Sequence, residues 1–182
     1  MFINHQVPFV FISATKSGSS SVNALLQEAF GGENLRNTTW KVPDNCKDYY
    51  SFIVVRNPYA RMISWWWSIC KADGGDRYGH KRELRQHKLT ESLADFITLW
   101  NIKGDYSQAL YYNLNVPVDS IVHLENIEQE INALPFIKTS IKIPRRNVKD
   151  HPSWMELLDD ESRELINTNY AEDFELFGYE KL

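Results

Sequence analysis

Pro8-Phe9-Val10-Phe11-Ile12-Ser13-Ala14-Thr15-Lys16-Ser17-Gly18-Ser19-Ser20-Ser21-Val22-Asn23-Ala24-Leu25-Leu26 is the stretch that decides the fold, and it reads as strand, tight loop and helix. Phe9 to Ile12 is a short, continuous apolar run of the kind buried inside a parallel sheet. Small hydroxyl residues then crowd around one lysine and one glycine. Val22, Leu25, Leu26, Ala29 and Phe30 follow at the spacing of one helix face, and Gly31-Gly32 predicts the stop. A loop between a parallel strand and a helix N-terminus gathers backbone N–H groups and the positive end of the helix dipole at one point, which favours a phosphate-like anion. Gly18 permits close backbone approach, Lys16 adds a full charge, and Ser17, Ser19, Ser20 and Ser21 offer hydroxyl donors. A serine-rich loop that merely caps a helix is the plainer alternative.

Outward from this unit, Tyr50 to Val55 (Tyr-Ser-Phe-Ile-Val-Val) is a second strand apolar enough to be buried on both faces. Pro58 opens a helix expected to run to Ala72, where Asp73-Gly74-Gly75-Asp76 ends it. Arg56 leaves the C-terminal end of the strand, where open α/β sheets bind ligands. Ser64 lies about two helical turns further on, so its hydroxyl can face the same group as the arginine. A helix-start arginine in a structural ion pair is the competing reading. The nucleoside-triphosphate loop G-x-x-x-x-G-K-[ST] puts its lysine after the last glycine. Here Lys16 precedes Gly18 and no lysine opens the helix, which disfavours a Walker-type ATPase or GTPase.

Thr15-Lys16-Ser17-Gly18-Ser19-Ser20-Ser21 resembles the loop P-K-T-G-T-T-S that binds the 5′-phosphosulfate in sulfotransferases using 3′-phosphoadenosine 5′-phosphosulfate (PAPS). Thr15 stands in place of the proline and serines in place of the threonines. Val54-Val55-Arg56-Asn57-Pro58-Tyr59-Ala60-Arg61-Met62-Ile63-Ser64 resembles the family's 3′-phosphate segment, V-R-N-P-x-x-R-x-x-S, nearly letter for letter. Asp105 to Tyr112 is similar to a family segment in which a glutamine precedes a hydrophobic-aromatic pair lining the acceptor cleft. Ser120 to Asn126 looks like a scaffold segment of the family, and Tyr170 to Tyr179 like the C-terminal signature of carbohydrate sulfotransferases. The resemblance therefore runs from the first strand to the last turn.

It implies transfer of a sulfuryl group from PAPS to a hydroxyl or amine, with 3′,5′-ADP as product and no metal. Lys16 would stabilise charge growing on the leaving phosphate, with Ser17, Gly18, Ser19, Ser20 and Ser21 beside it, while Arg56 and Ser64 would hold the 3′-phosphate. Arg146 and Lys149, in the late basic run from Ile143 to Trp154, are further nucleotide contacts by the same resemblance, and Gln108 an acceptor contact. Family members place a His or Glu base some two to three dozen residues after the lysine. This chain has Trp40 and Lys41 near that place and no histidine between Lys16 and Arg56. Asp44 is the closest carboxylate by spacing and is the expected base, with Glu33, His80 and His87 as alternatives.

Trp65, Trp66 and Trp67 fan over ~200° of a helix and cannot share one core face. One of them, Trp66, is taken as a stacking surface for a sugar, with core packing as the plainer role. Residues 71 to 88 hold Lys71, Arg77, Lys81, Arg82, Arg85 and Lys88 against Asp73, Asp76 and Glu83. Such a basic stretch, with His80 in it, would receive an anionic glycan, or would simply be a solvated loop. His80 and His87 lack the spacing of a zinc site. Thr90 is placed to cap a helix through about Trp100. Ser120 to Asn126 reads as a third buried strand carrying a hydrogen-bonded core His123, and Asn126 with Gln129 as a capping box at the next helix.

The 182 residues, 43% apolar and 24% charged, suit one globular domain spanning 1–182, without repeats or low-complexity tracts. A net charge of −4 argues against a general nucleic-acid partner, so any anion site must be local. Cys46 and Cys70 are too few for a disulfide framework and read as thiols of a reducing compartment. No apolar run approaches the ~20 residues of a membrane span, and Met1 to Gln6 is too short and polar for a secretory signal. The expectation is a cytoplasmic protein with no membrane partner. The expected fold is α/β, a three-layer sandwich with a central, mostly parallel sheet of about four to five strands flanked by helices, P-loop NTPase-like. The expected activity is PAPS-dependent sulfation of a hydroxyl-bearing acceptor, a carbohydrate first. A catalytically inactive nucleotide-binding module of the same fold and an ATP-dependent P-loop kinase are the alternatives. The sequence carries no signal for oligomeric state or for the individual acceptor.

Overall fold

The computed structural model describes residues 1–35, 41–71, 92–102, 107–113, 115–144 and 152–182. The strands are β1 (Phe2–Asn4), β2 (Phe9–Ser13), β3 (Glu33–Asn34), β4 (Tyr50–Val55) and β5 (Ser120–His123). The helices are α1 (Ser19–Phe30), α2 (Pro58–Trp66), α3 (Leu93–Ile102), α4 (Gln108–Tyr112), α5 (Ile127–Asn132), α6 (Trp154–Leu157), α7 (Asp160–Asn169) and α8 (Ala171–Phe177). They fall into two compact units, residues 1–56 with 107–148 and residues 57–106 with 149–182.

The first unit holds a five-stranded sheet in the order β3-β1-β2-β4-β5. β2 and β4 pair in parallel from Phe9↔Tyr50 to Ser13↔Val54, and β5 continues in parallel with Val55 opposite His123. The expected mostly parallel sheet is instead mixed, because β1 is antiparallel to both β2 and β3. Only His5 to Pro8 separate β1 from β2, far too few residues for a parallel crossover but enough for a hairpin. β1 itself is three residues long, too short for a periodic pattern to register.

The apolar runs of β2 and β4 are continuous because both faces of the sheet are covered. Phe9, Phe11, Phe52, Val54 and Val122 pack with Val22, Leu25 and Leu26 of α1 and with Ile131 of α5. Val10, Ile12, Ile53 and Val55 on the other face are equally buried. Phe136, in the loop after α5, closes the first cluster by stacking on Phe9 at 4.4 Å and meeting Phe30, Tyr50 and Phe52. Helix α1 stops at the predicted glycine, where Gly31 takes φ 66° and its N–H donates to the Gln27 carbonyl. The buried Asn4 amide then donates to the carbonyls of Phe30 and Gly31, fastening the helix end to β1.

The third strand is shorter than expected. It ends at His123, and Leu124 to Asn126 turn as a 3-10 helix before α5. Asn126 and Gln129 form no capping box, since Asn126 makes no side-chain cap hydrogen bond. Glu130 turns back instead, and its Oε2 accepts the His123 N–H at 2.6 Å.

In the second unit, α2 ends at Trp66 and a π-helical turn, Trp67–Lys71, follows where one longer helix was expected. Its start is built as Pro58 predicts, with Asn57 Oδ1 accepting the N–H groups of Tyr59 and Ala60 at 3.0 and 3.2 Å. Tyr59, Met62, Phe96, Ile97, Ile166, Tyr170 and Phe174 form the core of α2, α3, α7 and α8. Tyr59 stacks on Trp154 and hydrogen-bonds Asn167. Among the described residues no helix is long and apolar enough to cross a membrane.

A buried ion pair joins the start of this unit to its end. Arg61 and Asp173 are 1% and 0% exposed, lie 3.7 Å apart, and the guanidinium also sits 5.4 Å from the Trp65 ring centre. Taking one charge of such a pair away costs far more than the pair itself contributes, because the other charge stays out of water. Asp173→Ala is therefore expected to lower stability by about 3–5 kcal/mol, read as a lower urea midpoint by tryptophan fluorescence.

Candidate active site

Parallel strands leave a sheet at the same edge, so the segments after β2 and β4 emerge side by side. After β2 the chain reverses into α1 through two left-handed residues, Lys16 at φ 67° and Gly18 at φ 77°. Glycine takes this conformation without penalty, whereas a lysine there costs about 1–2 kcal/mol. The turn is held by hydroxyls: Ser17 Oγ and Ser19 Oγ both donate to the Ala14 carbonyl at 2.7 Å. Ser17 is fully buried. These two serines, expected as donors to an anion, have committed their protons to shaping the loop. Ser20 is exposed and Ser21 half-buried at the helix start, where the Ser21 and Val22 N–H groups return to the Gly18 carbonyl. The first-turn N–H groups of Ser19 and Ser20 have no intrahelical acceptor, which is what makes a helix start receptive to an anion.

Arg56 reaches this loop. Its Nη1 lies 3.5 Å from the Lys16 carbonyl oxygen, at the outer limit of a hydrogen bond. Its backbone is gripped by Gln108, whose Oε1 accepts the Arg56 N–H at 2.7 Å and whose Nε2 donates to the Arg56 carbonyl at 2.8 Å. Gln108, expected as an acceptor contact, is fully buried with both ends of its amide engaged in this way. Thr15, the residue standing for the family's proline, pairs its Oγ1 with the Tyr111 hydroxyl at 2.9 Å. Tyr111 entered the sequence reading only as part of the Asp105 to Tyr112 segment, and its pairing with Thr15 was not legible because the two lie 96 positions apart.

Asp44 sits in a 3-10 turn (Asp44–Cys46), its side chain 91% exposed and its Oδ1 accepting from Lys47 Nζ at 2.6 Å. That hydrogen bond and charge hold the carboxyl below its ordinary range, a shift in the wrong direction for a general base. Cys46, by contrast, is buried, and burial pushes its thiol up. His123, read as a core residue, is half-buried at the C-terminal end of β5, its Nδ1 3.1 Å from Glu130 Oε2.

Ser64 is half-buried on α2, in the second unit. Trp66, taken as a sugar-stacking residue, is instead buried in that unit's core together with Trp65, and only Trp67 remains half-buried. His80, Arg146 and Lys149 lie outside the described residues. Among the described residues no group of three or more His, Cys, Asp or Glu is placed to hold a metal ion.

Lys16, Gly18 and Arg56 gather at the C-terminal edge of a parallel strand pair on an α/β scaffold. The model of the sulfotransferase family matches residues 2–180, and the chain belongs to that family. Membership makes it a transferase of sulfuryl groups and accounts for the mixed α/β architecture, a five-stranded sheet flanked by helices. No curated protein and no solved structure gives a significant match.

Gly18 provides the direct check on the loop. A Cβ there would lie 2.6 Å from Leu124 Cδ1, the movable tip of a side chain, so the positive φ sets the cost. Gly18→Ala is expected to destabilise the protein by about 1–2 kcal/mol, seen as a lower urea midpoint with an unchanged slope.

Proposed function

We propose that this sulfotransferase uses PAPS as its donor and sulfates a hydroxyl, or an amine, of a carbohydrate acceptor, releasing 3′,5′-ADP. The observation that supports the donor assignment is the approach of the Arg56 guanidinium to the backbone of the Lys16–Gly18 loop, which brings two cationic residues to one sheet edge. One phosphate-type group would need only the loop. A nucleotide bearing phosphates on both its 3′ and 5′ positions gives each cation a phosphate of its own, whereas ATP has no 3′-phosphate to offer Arg56.

The residues present fit such a donor. The left-handed loop admits no side chain at Gly18 without displacing Leu124, so glycine lets the turn into α1 pack closely on that leucine. Lys16 and the Ser19 and Ser20 N–H groups would hold the 5′ side, and Arg56 the 3′-phosphate, with Ser64, Arg146 and Lys149 assigned to the nucleotide by family resemblance. The donor supplies an activated sulfuryl group on a phosphate leaving group. Lys16 contributes charge neutralisation where negative charge develops, and the fixed loop contributes position, the two effects that dominate in-line group transfer. Asp44 is left a weak candidate for the base by its exposure and its Lys47 partner.

Calorimetric titration with 3′,5′-ADP and with 5′-ADP tests the donor assignment. The bisphosphate is expected to bind at least ~10-fold tighter, worth ~1.4 kcal/mol. Equal affinities, or binding of ATP alone, would refute the 3′-phosphate site and the donor with it. Lys16→Ala is expected to keep bisphosphate binding within ~10-fold while sulfuryl transfer falls ~10²–10³-fold, the size of loss seen when one transition-state donor is removed. Bisphosphate binding with no transfer to any acceptor in the unmodified protein would instead leave a nucleotide-binding module.

A further inference from the structure

Gln108 and Tyr111 are three residues apart on α4, so they stand one above the other on one face of that helix. Both are buried, at 0% and 5% exposure, and Ala109 between them is fully buried as well. Each makes a polar bond to a different strand end. Gln108 brackets the backbone of Arg56 just after β4, and Tyr111 holds the side chain of Thr15 just after β2. The dimensions match: three residues of helix rise ~4.5 Å, and neighbouring strands lie ~4.8 Å apart. One turn of helix therefore spans the gap between the exits of two adjacent strands.

We infer that α4 is a spacer that sets the separation of the two phosphate-binding groups, with Gln108 and Tyr111 as positioning residues for Arg56 and for the Lys16 loop. This rests on the donor reading above and deepens it. Neither side chain touches the nucleotide in this scheme. Gln108 acts through Arg56 because an amide gripping both N–H and C=O of one residue fixes that peptide's rotation, and hence the direction in which the guanidinium leaves the backbone. Tyr111 acts through Thr15, the residue immediately before Lys16, and so steadies a loop whose lysine is held in a costly left-handed conformation. Thr15 in place of proline acquires its reason here: the hydroxyl is the handle by which the helix reaches the loop.

The two residues should then fail in different ways, which a general loss of packing would not produce. In Gln108→Met, which keeps the side-chain volume and removes both hydrogen bonds, the ratio of 5′-ADP to 3′,5′-ADP dissociation constants is expected to collapse toward unity. Affinity for 5′-ADP itself should stay within ~2-fold. In Tyr111→Phe, both nucleotides should weaken together by about 3–10-fold, as for one lost buried hydrogen bond, with the ratio unchanged. Thr15→Val combined with Tyr111→Phe should be no worse than Tyr111→Phe alone.

Equal weakening of both nucleotides in Gln108→Met, or an altered ratio in Tyr111→Phe, overturns the spacer. If Gln108→Met does not fold, Gln108→Leu, which also removes both hydrogen bonds and adds no charge, is required to show the same change in ratio. The unmodified protein separates the two claims. If it does not prefer 3′,5′-ADP, the donor reading falls and takes the spacer with it. If it does and the variants show no split, the spacer alone falls.

Discussion

Parallel pairing of β2 with β4, in register from Phe9↔Tyr50 to Ser13↔Val54, is the constraint from which the candidate site follows. Two strands hydrogen-bonded in this way deliver their following residues to one edge, a strand spacing apart, whatever those residues are. The chain after β2 must then turn sharply to enter α1, and it does so with Lys16 and Gly18 wound left-handed. The chain after β4 carries Arg56 toward the same turn. Burial away from water of the apolar surface of Phe11, Phe52 and their neighbours on one face, and of Ile12 and Ile53 on the other, keeps the two strands in place. The strain at Lys16 is thus supported by a doubly covered sheet and not by the loop alone.

The segment Arg56-Asn57-Pro58-Tyr59-Ala60-Arg61, read in the sequence as one phosphate-binding signature, divides into separate physical tasks. Arg56 addresses the loop, Asn57 caps α2, Pro58 opens it at a position with no N–H to lose, and Arg61 turns inward to Asp173. Asp173 in turn lies in the C-terminal stretch that resembles a family signature. Two motifs far apart in the chain therefore meet as the two halves of one buried ion pair. A residue within a motif need not approach the ligand to be required by it.

What was legible in the sequence had a local physical cause. Burial on both faces demands unbroken apolar runs, so β2 and β4 were plain; a helix needs a stop, so Gly31 was plain. β1 escaped because three residues carry no period, and with it the antiparallel half of the sheet. Phe136 escaped because a loop gives no reason to expect a core aromatic. In the candidate site, residue types pointed to a loop suited to an anion, but type fixes how many hydrogen bonds a side chain can make and not their direction. Ser17 and Ser19 bond inward to Ala14, and Gln108 bonds to a backbone 52 positions away. Trp66 was ambiguous on spacing alone, and tertiary packing resolved it in favour of the core.

The division into two units also sorts the chromophores. Five of the six tryptophans, Trp65, Trp66, Trp67, Trp100 and Trp154, fall within the residue ranges of the second unit, and Trp40 alone within the first. The first unit has a phenylalanine-rich core in their place, built on Phe9, Phe11, Phe52 and Phe136. Light at the red edge of the indole band is therefore absorbed mainly in the half of the protein that does not contain the Lys16 loop. Indole emission is weighted toward that helical half, while far-ultraviolet ellipticity averages over both. Divergence between the two signals during unfolding would resolve the halves optically, without any label being attached.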